Sequence, residues 1–152
     1  QNYIFIAIAL SFVAYLFLPI TKLTIGTELP CTITPLKING LDGFTKYNYI
    51  FWLFATLIAL IVIVSSATAL CFKKRRVQLK LTILACLLNL LIIGGEFWLI
   101  DFFIKILAPD ANLETHYAFA IYIPIVTFAL LMMAQRGIKK DEEKVKSYER
   151  IR

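Results

Sequence analysis

Residues 73–100 read KKRRVQLKLTILACLLNLLIIGGEFWLI, and this stretch carries both signals that decide the fold. Lys73, Lys74, Arg75, Arg76 and Lys80 place five positive charges in eight residues, with no negative one among them. From Leu81 to Ile100 the only charged residue is Glu96. At 1.5 Å per residue, such a run crosses the roughly 30 Å of hydrocarbon in a bilayer. A basic block abutting an apolar run is the mark of a cytoplasmic loop entering a membrane span.

The same reading extends outward in both directions. Apolar residues make up 60% of the 152-residue chain, well above the roughly 45–50% of a soluble domain. The charged residues, 17% of the chain, sit in short stretches between long apolar runs. Spans are expected at about 1–20, 49–72, 79–104 and 117–136, separated by an outer loop at 21–48 and a basic loop at 73–78, with a polar tail at 137–152. The first run, Tyr3 to Ile20, has the length of a crossing; no small-x-small cleavage site follows it, which argues against a signal peptide. Leu29-Pro30-Cys31 resembles a lipoprotein cleavage site only faintly, because the residues before Cys31 are not small. The chain opens at Gln1 without a methionine, so a few preceding residues are expected.

Orientation follows from the positive charges. Residues 73–80 and the tail hold twelve Lys and Arg between them, against three (Lys22, Lys37, Lys46) in the first polar loop and none in 108–116. Both termini and the basic loop are therefore expected in the cytoplasm, with Lys73, Lys74, Arg75 and Arg76 as the topology anchor. The net charge of +6 is explained by this topology and not by a nucleic-acid surface. An impermeant thiol reagent should reach Cys31 from outside and should not reach Cys71. Cys31, Cys71 and Cys86 share no metal-ligand or CxxC spacing, and no disulfide within the chain is expected.

Within the outer loop, Leu23, Ile25, Ile33, Leu36 and Ile38 alternate with polar neighbours, and Pro30, Pro35, Asn39-Gly40 and Asp42-Gly43 punctuate them as turns. Two or three short strands are expected, with at least one antiparallel pair between Thr21 and Phe44. Tyr47, Tyr49 and Trp52 form an aromatic belt at re-entry. Pro109 should end the third helix, an acidic connection through Asp110 and Glu114 should follow, and Pro124 should kink the fourth span. From Arg136 onward helix formers predominate, so the fourth helix should run on past the apolar region. The fold class is thus an all-α membrane protein: a four-transmembrane-helix antiparallel bundle with a small β element in its first periplasmic loop.

Few residues carry chemistry. Glu96 stands inside a span, where a charge costs at least about 2.5 kcal/mol at the centre and marks a functional site by default. Gly94-Gly95 beside it should let a neighbouring helix approach, which also fits a glutamate that is only a hydrogen-bonded packing element. Asn89 and Thr127 can bond across helices. Asp101 and Lys105 are spaced to pair on one helix face, as a surface anchor or, facing inward, as part of a polar site with Glu96 and Asn89. His116 is the sole histidine and lacks the partners a metal site needs. On the tail, Ile138, Val145, Tyr148 and Ile151 fall on one narrow stripe suited to a partner surface, or to packing against the 73–80 loop. GxSxG, P-loop and HExxH motifs are absent, so no enzyme, cofactor or metal is expected.

The tail residues 134–147, AQRGIKKDEEKVKS, with the closing ERIR of 149–152, resemble the end of an uncharacterised four-span inner-membrane family of Bacteroidota, known only as a domain of unknown function. That family typically finishes Ala-Asn-Arg-Ala-Ile-Arg-Lys-Asp-Glu-x-x-Val-x-Ser-x-x-Arg-Leu-Arg. Gln1-Asn2-Tyr3 is similar to the end of its usual start, Met-Ile-Gln-Arg-Ile-Gln-Thr-x-Tyr. Gln135, Gly137 and Tyr148-Glu149 depart from the pattern. The resemblance implies a Gram-negative cytoplasmic membrane and assigns no catalytic residue. The expectation for function is a structural or accessory subunit of a larger inner-membrane complex (secretion, translocation or respiratory machinery), with lipid and integral-membrane proteins as partners. The alternative is a small binder or conductor of a proton, ion or lipid using Glu96.

Overall fold

The computed structural model describes residues 2–25, 31–39, 47–71, 74–107 and 113–150. It is mostly helical, with α1 (Asn2–Tyr15), α2 (Asn48–Leu70), α3 (Arg75–Leu107) and α4 (Tyr122–Arg150). A small sheet is made from β1 (Thr21–Ile25), β2 (Cys31–Ile33), β3 (Ile38–Asn39) and β4 (Leu113–Tyr117). Three helices, α2, α3 and α4, are long and apolar enough to cross a membrane. Leu53, Ile63, Leu91, Val126 and Met133 are each more than half exposed on their outer faces, a surface suited to lipid and costly in water.

The helix α1 is shorter than the apolar run that encodes it. At 14 residues it rises only about 21 Å. It closes through short-range bonds, Phe17 N to Ala14 O (3.1 Å) and Leu18 N to Tyr15 O (3.3 Å). Two causes end it there. Pro19 disfavours helical geometry at Leu18, and the Ile20 amide is committed to the sheet, donating to Ile33 O at 2.8 Å.

Helix neighbours run α1–α2–α3–α4 and back to α1, so α1 and α3 stand across the core from one another. Tyr47, at the entry to α2, packs edge-on against Phe102 and Phe103 near the end of α3 (5.8 and 6.1 Å). Asn89 meets Thr127, while Arg75 meets Asp141. Both neighbouring pairs are therefore antiparallel. Between α2 and α3, Gly95 lets the Phe54 ring come so near that a Cβ would lie 2.9 Å from Phe54 Cε2. The expected close approach thus belongs to Gly95 alone, since Gly94 has nothing within 4 Å of a built Cβ.

The sheet has the order β3-β2-β1-β4, antiparallel throughout. The expected strand pair within 21–44 is present as Thr21↔Ile33, Lys22↔Thr32 and Leu23↔Cys31. The strand β4 corrects the reading of 108–116 as a plain acidic connection: it pairs with β1 over five residues, from Thr21↔Tyr117 to Ile25↔Leu113. The alternation of Leu113, Thr115 and Tyr117 with polar neighbours was too short to stand out beside a turn-rich segment. Thr21, Leu23, Cys31 and Ile33 face the helices and are buried, whereas Lys22 and His116 face outward.

Pro124 is also corrected. A 3-10 turn, Phe119–Ile121, precedes α4, so Pro124 is the third residue of that helix, where amides have no partner within the helix. No kink is needed to accommodate it. The expected continuation of the fourth helix is present, to Arg150. Pro109, Asp110, Asn39-Gly40 as a turn and Asp42-Gly43 fall wholly or partly outside the described residues.

Candidate functional site

One face of α3 is buried along its whole length. Gln78, Thr82, Ala85, Asn89, Ile92, Glu96, Leu99 and Phe103 follow one another at steps of four and three residues, and all lie below a tenth exposed. That spacing keeps a stripe pointing at a packed neighbour. On a helix in lipid such a stripe would ordinarily be small and apolar; here it carries four polar residues.

Glu96 is fully buried, and among the described residues it is the only buried Asp, Glu, Lys or Arg. Its position follows from the helix: α3 is continuous through it, and Gly95 admits the Phe54 ring alongside. Across the core the Tyr15 hydroxyl, on the last residue of α1, faces the Glu96 carboxyl. Tyr15 is itself fully buried and steadied by an edge contact with Phe12 (centroids 6.1 Å apart). That phenol is the one side-chain partner of the carboxyl among the described residues, and a single hydroxyl cannot satisfy both buried Glu96 oxygens. A buried polar group left in that state loses its hydration without return. A small rotation about the side-chain torsions, a water or a proton would supply what is missing.

Two turns of helix away, Asn89 Nδ2 donates to Thr127 Oγ1 at 3.0 Å. The Thr127 hydroxyl proton is shared between Ile123 O and Pro124 O, both at 2.9 Å. Asn89 Oδ1 is buried without a partner. Further along, Gln78 Nε2 reaches Thr68 O on α2 at 3.4 Å, and the hydroxyls of Thr82 and Thr68 bond back to Gln78 O and Val64 O. Ser65 Oγ, also on α2, is buried and unpartnered.

The structure separates residues that the sequence had grouped. Asp101 and Lys105 form the expected pair at 2.7 Å, but both side chains are more than half exposed, which overturns their placement facing inward with Glu96. Of the tail stripe, Ile138 is buried at 1% exposure, so it is a core residue and cannot be a partner contact. Val145 is exposed; Tyr148 as a side chain and Ile151 lie outside what is described. The basic anchor meets the tail, as Arg75 Nη1 donates to Asp141 O at 2.7 Å and Arg76 lies 3.8 Å from Glu142. Lys73 lies outside the described residues, while Lys74 is exposed.

Cys31 is corrected as a topology probe: it is 1% exposed, facing the helices, and burial pushes its thiol pKa up. His116 lies on the outward face of β4, across from Lys22. Among the described residues, no three His, Cys, Asp or Glu side chains group at metal-binding distance. Grooves border α1 on two sides, one with Ile6, Ala9, Val13, Val62 and Ser66 and one with Ser11, Tyr122, Val126 and Thr127; Glu96 lines neither.

Tyr15, Gln78, Thr82 and Ser65 were missed by the sequence reading. For the residues of α3 a signal was available, since 78, 82, 89 and 96 share one helical face. Nothing local marks Tyr15, whose role depends on a helix 81 positions away in the chain.

No curated protein and no solved structure matches the chain. A family model described as a domain of unknown function (DUF4293) matches residues 2–151. With the match running over nearly the whole chain, the protein belongs to that DUF4293 family.

Proposed function

We propose that this protein is a four-span inner-membrane protein, of the kind found in Bacteroidota, whose functional centre is the Glu96 carboxyl acting as an intramembrane proton-binding group. In this reading α1 is the fourth crossing, its short helix continued by the apolar residues to Ile20. The mismatch with bilayer thickness costs only fractions of a kcal/mol per Å. Both termini and the Lys74–Arg76 end lie in the cytoplasm, and the sheet lies outside.

The observation that carries the reading is a carboxyl fully buried in a helix core, whose two oxygens face a single phenol among the described residues. A group kept only for packing would be expected to have its hydrogen bonds satisfied, because an orphaned polar atom in hydrocarbon costs several kcal/mol. One that binds and releases a proton needs room for both states. Binding is the simple step in which a hydronium ion gives its proton to the carboxylate and leaves as water. Tyr15 on α1 can donate to the ionised form and is released when the acid is neutral. Among the described residues no other titratable group faces this site: α2 presents the Phe54 ring, and the 3-10 turn before α4 presents Ala120 and Ile121 at this depth.

Infrared difference spectroscopy of the protein in lipid tests this. A carboxylic C=O band should appear and disappear as pH is varied across the range the protein tolerates, and Glu96→Gln should remove it. A Glu96 band that never changes with pH would leave only a packing role.

The accessory-subunit reading keeps one supporting observation. The helix α4 continues to Arg150, well past the apolar residues ending near Ala134, with Val145 exposed on it. Mixed charges around an apolar residue suit a specific protein surface. Co-purification in gentle detergent tests it, and a chain that always migrates alone counts against it.

A further inference from the structure

We propose that Glu96 communicates with only one side of the membrane, through a file of water held by the polar rungs of α3, and that this side is the basic end at Lys74–Arg76. The inference rests on the reading of Glu96 as a proton site and assigns its direction of access.

The polar residues of the buried stripe are not symmetric about Glu96. Toward the basic end lie Asn89, Thr82 and Gln78. Toward the sheet the stripe continues as Leu99 and Phe103, and Phe51 stacks on Phe103 with centroids 5.4 Å apart. Beyond these, the sheet turns Leu23 and Ile33 inward, both fully buried. Among the described residues, the one buried polar side chain of the strands facing this end is Thr21, and its hydroxyl is occupied by His116 O at 3.1 Å.

The rungs are matched across the interior. Phe54 beside Gly95 and Gln78 beside Thr68 set the register of α2 on α3, which brings Ser65 about level with Thr82. Successive levels are then Gln78 with Thr68, Thr82 with Ser65, Asn89 with Thr127, and Glu96 with Tyr15. From Gln78 to Glu96 the stripe rises about 27 Å, most of a bilayer's hydrocarbon. Seven residues separate Thr82, Asn89 and Glu96, intervals of about 10 Å that roughly three hydrogen-bonded waters would span.

Incompletely satisfied polar atoms lie at each of the three levels above Gln78. Ser65 Oγ and Asn89 Oδ1 are buried without partners, the two Glu96 oxygens share one phenol, and ordered water is the usual partner of such atoms. Polar atoms spread over three levels on one side of Glu96, facing apolar packing on the other, make a one-sided entrance.

Silver(I) is a probe small enough to follow water, and it replaces a thiol proton to leave a silver thiolate and a free proton. Single-cysteine variants Thr82→Cys, Asn89→Cys and Leu99→Cys, in a chain with Cys31, Cys71 and Cys86 replaced, would be placed in oriented vesicles in chloride-free buffer. Silver nitrate is added to one side, and unreacted thiol is counted by mass spectrometry after denaturation. Thr82→Cys and Asn89→Cys should react from the basic side at least about tenfold faster than Leu99→Cys, thiol reactivity being set by access and ionisation. From the sheet side all three should be slow. Equal reaction from both sides, or faster reaction from the sheet side, overturns the proposal. So does silence at positions 82 and 89. If a cysteine variant fails to fold, deuterium exchange of the Glu96 carboxyl in wild type and Thr82→Val decides instead: the variant should exchange several-fold more slowly, and an unchanged rate overturns the route. A Glu96 that titrates while these thiols stay silent would leave the proton site standing and remove only its path; reactive thiols with a carboxyl that never titrates would do the reverse.

Discussion

Two adjacent glycines make opposite predictions. Replacing either by alanine gains the roughly 0.8–1 kcal/mol of helix propensity that separates the residues. At position 94 the new methyl meets nothing within 4 Å, so Gly94→Ala should be neutral or slightly stabilising. At position 95 it would lie 2.9 Å from Phe54 Cε2. Phe54 is 5% exposed and enclosed between α2 and α3, so its ring cannot swing into solvent; it or the helices must shift by about half an ångström, at the roughly 1–3 kcal/mol typical of overpacking. The two variants should therefore differ by about 1–3 kcal/mol, or several degrees in Tm at roughly 2–4 °C per kcal/mol for a chain of this size. Thermal unfolding in detergent or lipid nanodiscs, followed by a fluorogenic maleimide, suits this protein because Cys31 and Cys86 are buried until it unfolds. Phe54→Leu should relieve the defect, so the double variant Phe54→Leu with Gly95→Ala should be more stable than the sum of the single effects predicts. Equal stability of Gly94→Ala and Gly95→Ala would refute the packing of Phe54 on Gly95, and with it the local framework that holds Glu96.

The Asn89–Thr127 bond should show the asymmetry of buried polar pairs: Thr127→Val leaves the Asn89 amide stranded and should cost about 1–2 kcal/mol, whereas Asn89→Leu removes the amide and should cost less. Unfolding midpoints of the two variants measure this, and a costlier Asn89→Leu would contradict it. For the buried Cys31 thiol, whose pKa is raised by burial, reaction with an impermeant maleimide in the folded protein should be at least about tenfold slower than at an exposed Lys37→Cys, since the thiolate is the nucleophile. The gap should persist at mildly alkaline pH, where an exposed thiol ionises first; comparable rates at the two positions would show that the sheet does not cover Cys31.

The long apolar helices were legible because the length and composition that suit a helix to hydrocarbon are written residue by residue. A segment must be apolar over a fixed length and satisfy its own backbone, so α2, α3 and α4 could be read from composition and from the charges that bracket them. The Asp101–Lys105 pair and the continuation of α4 were legible for the same reason, since both depend on neighbours within a turn or two. Strand pairing is nonlocal: β1 and β2 were marked by alternation and turns, but β4 reaches β1 from about ninety residues away. The end of α1 at Tyr15 likewise depends on an Ile20 amide that the sheet claims. Glu96 could be singled out from sequence because a charge inside an apolar run is conspicuous. That it faces Tyr15, that Asp101 and Lys105 turn away from it, and that Ile138 is interior depended on how four helices rotate about their axes. Rotation is decided by contacts between helices, of which the Phe54 ring over Gly95 is one, and no segment carries that information alone.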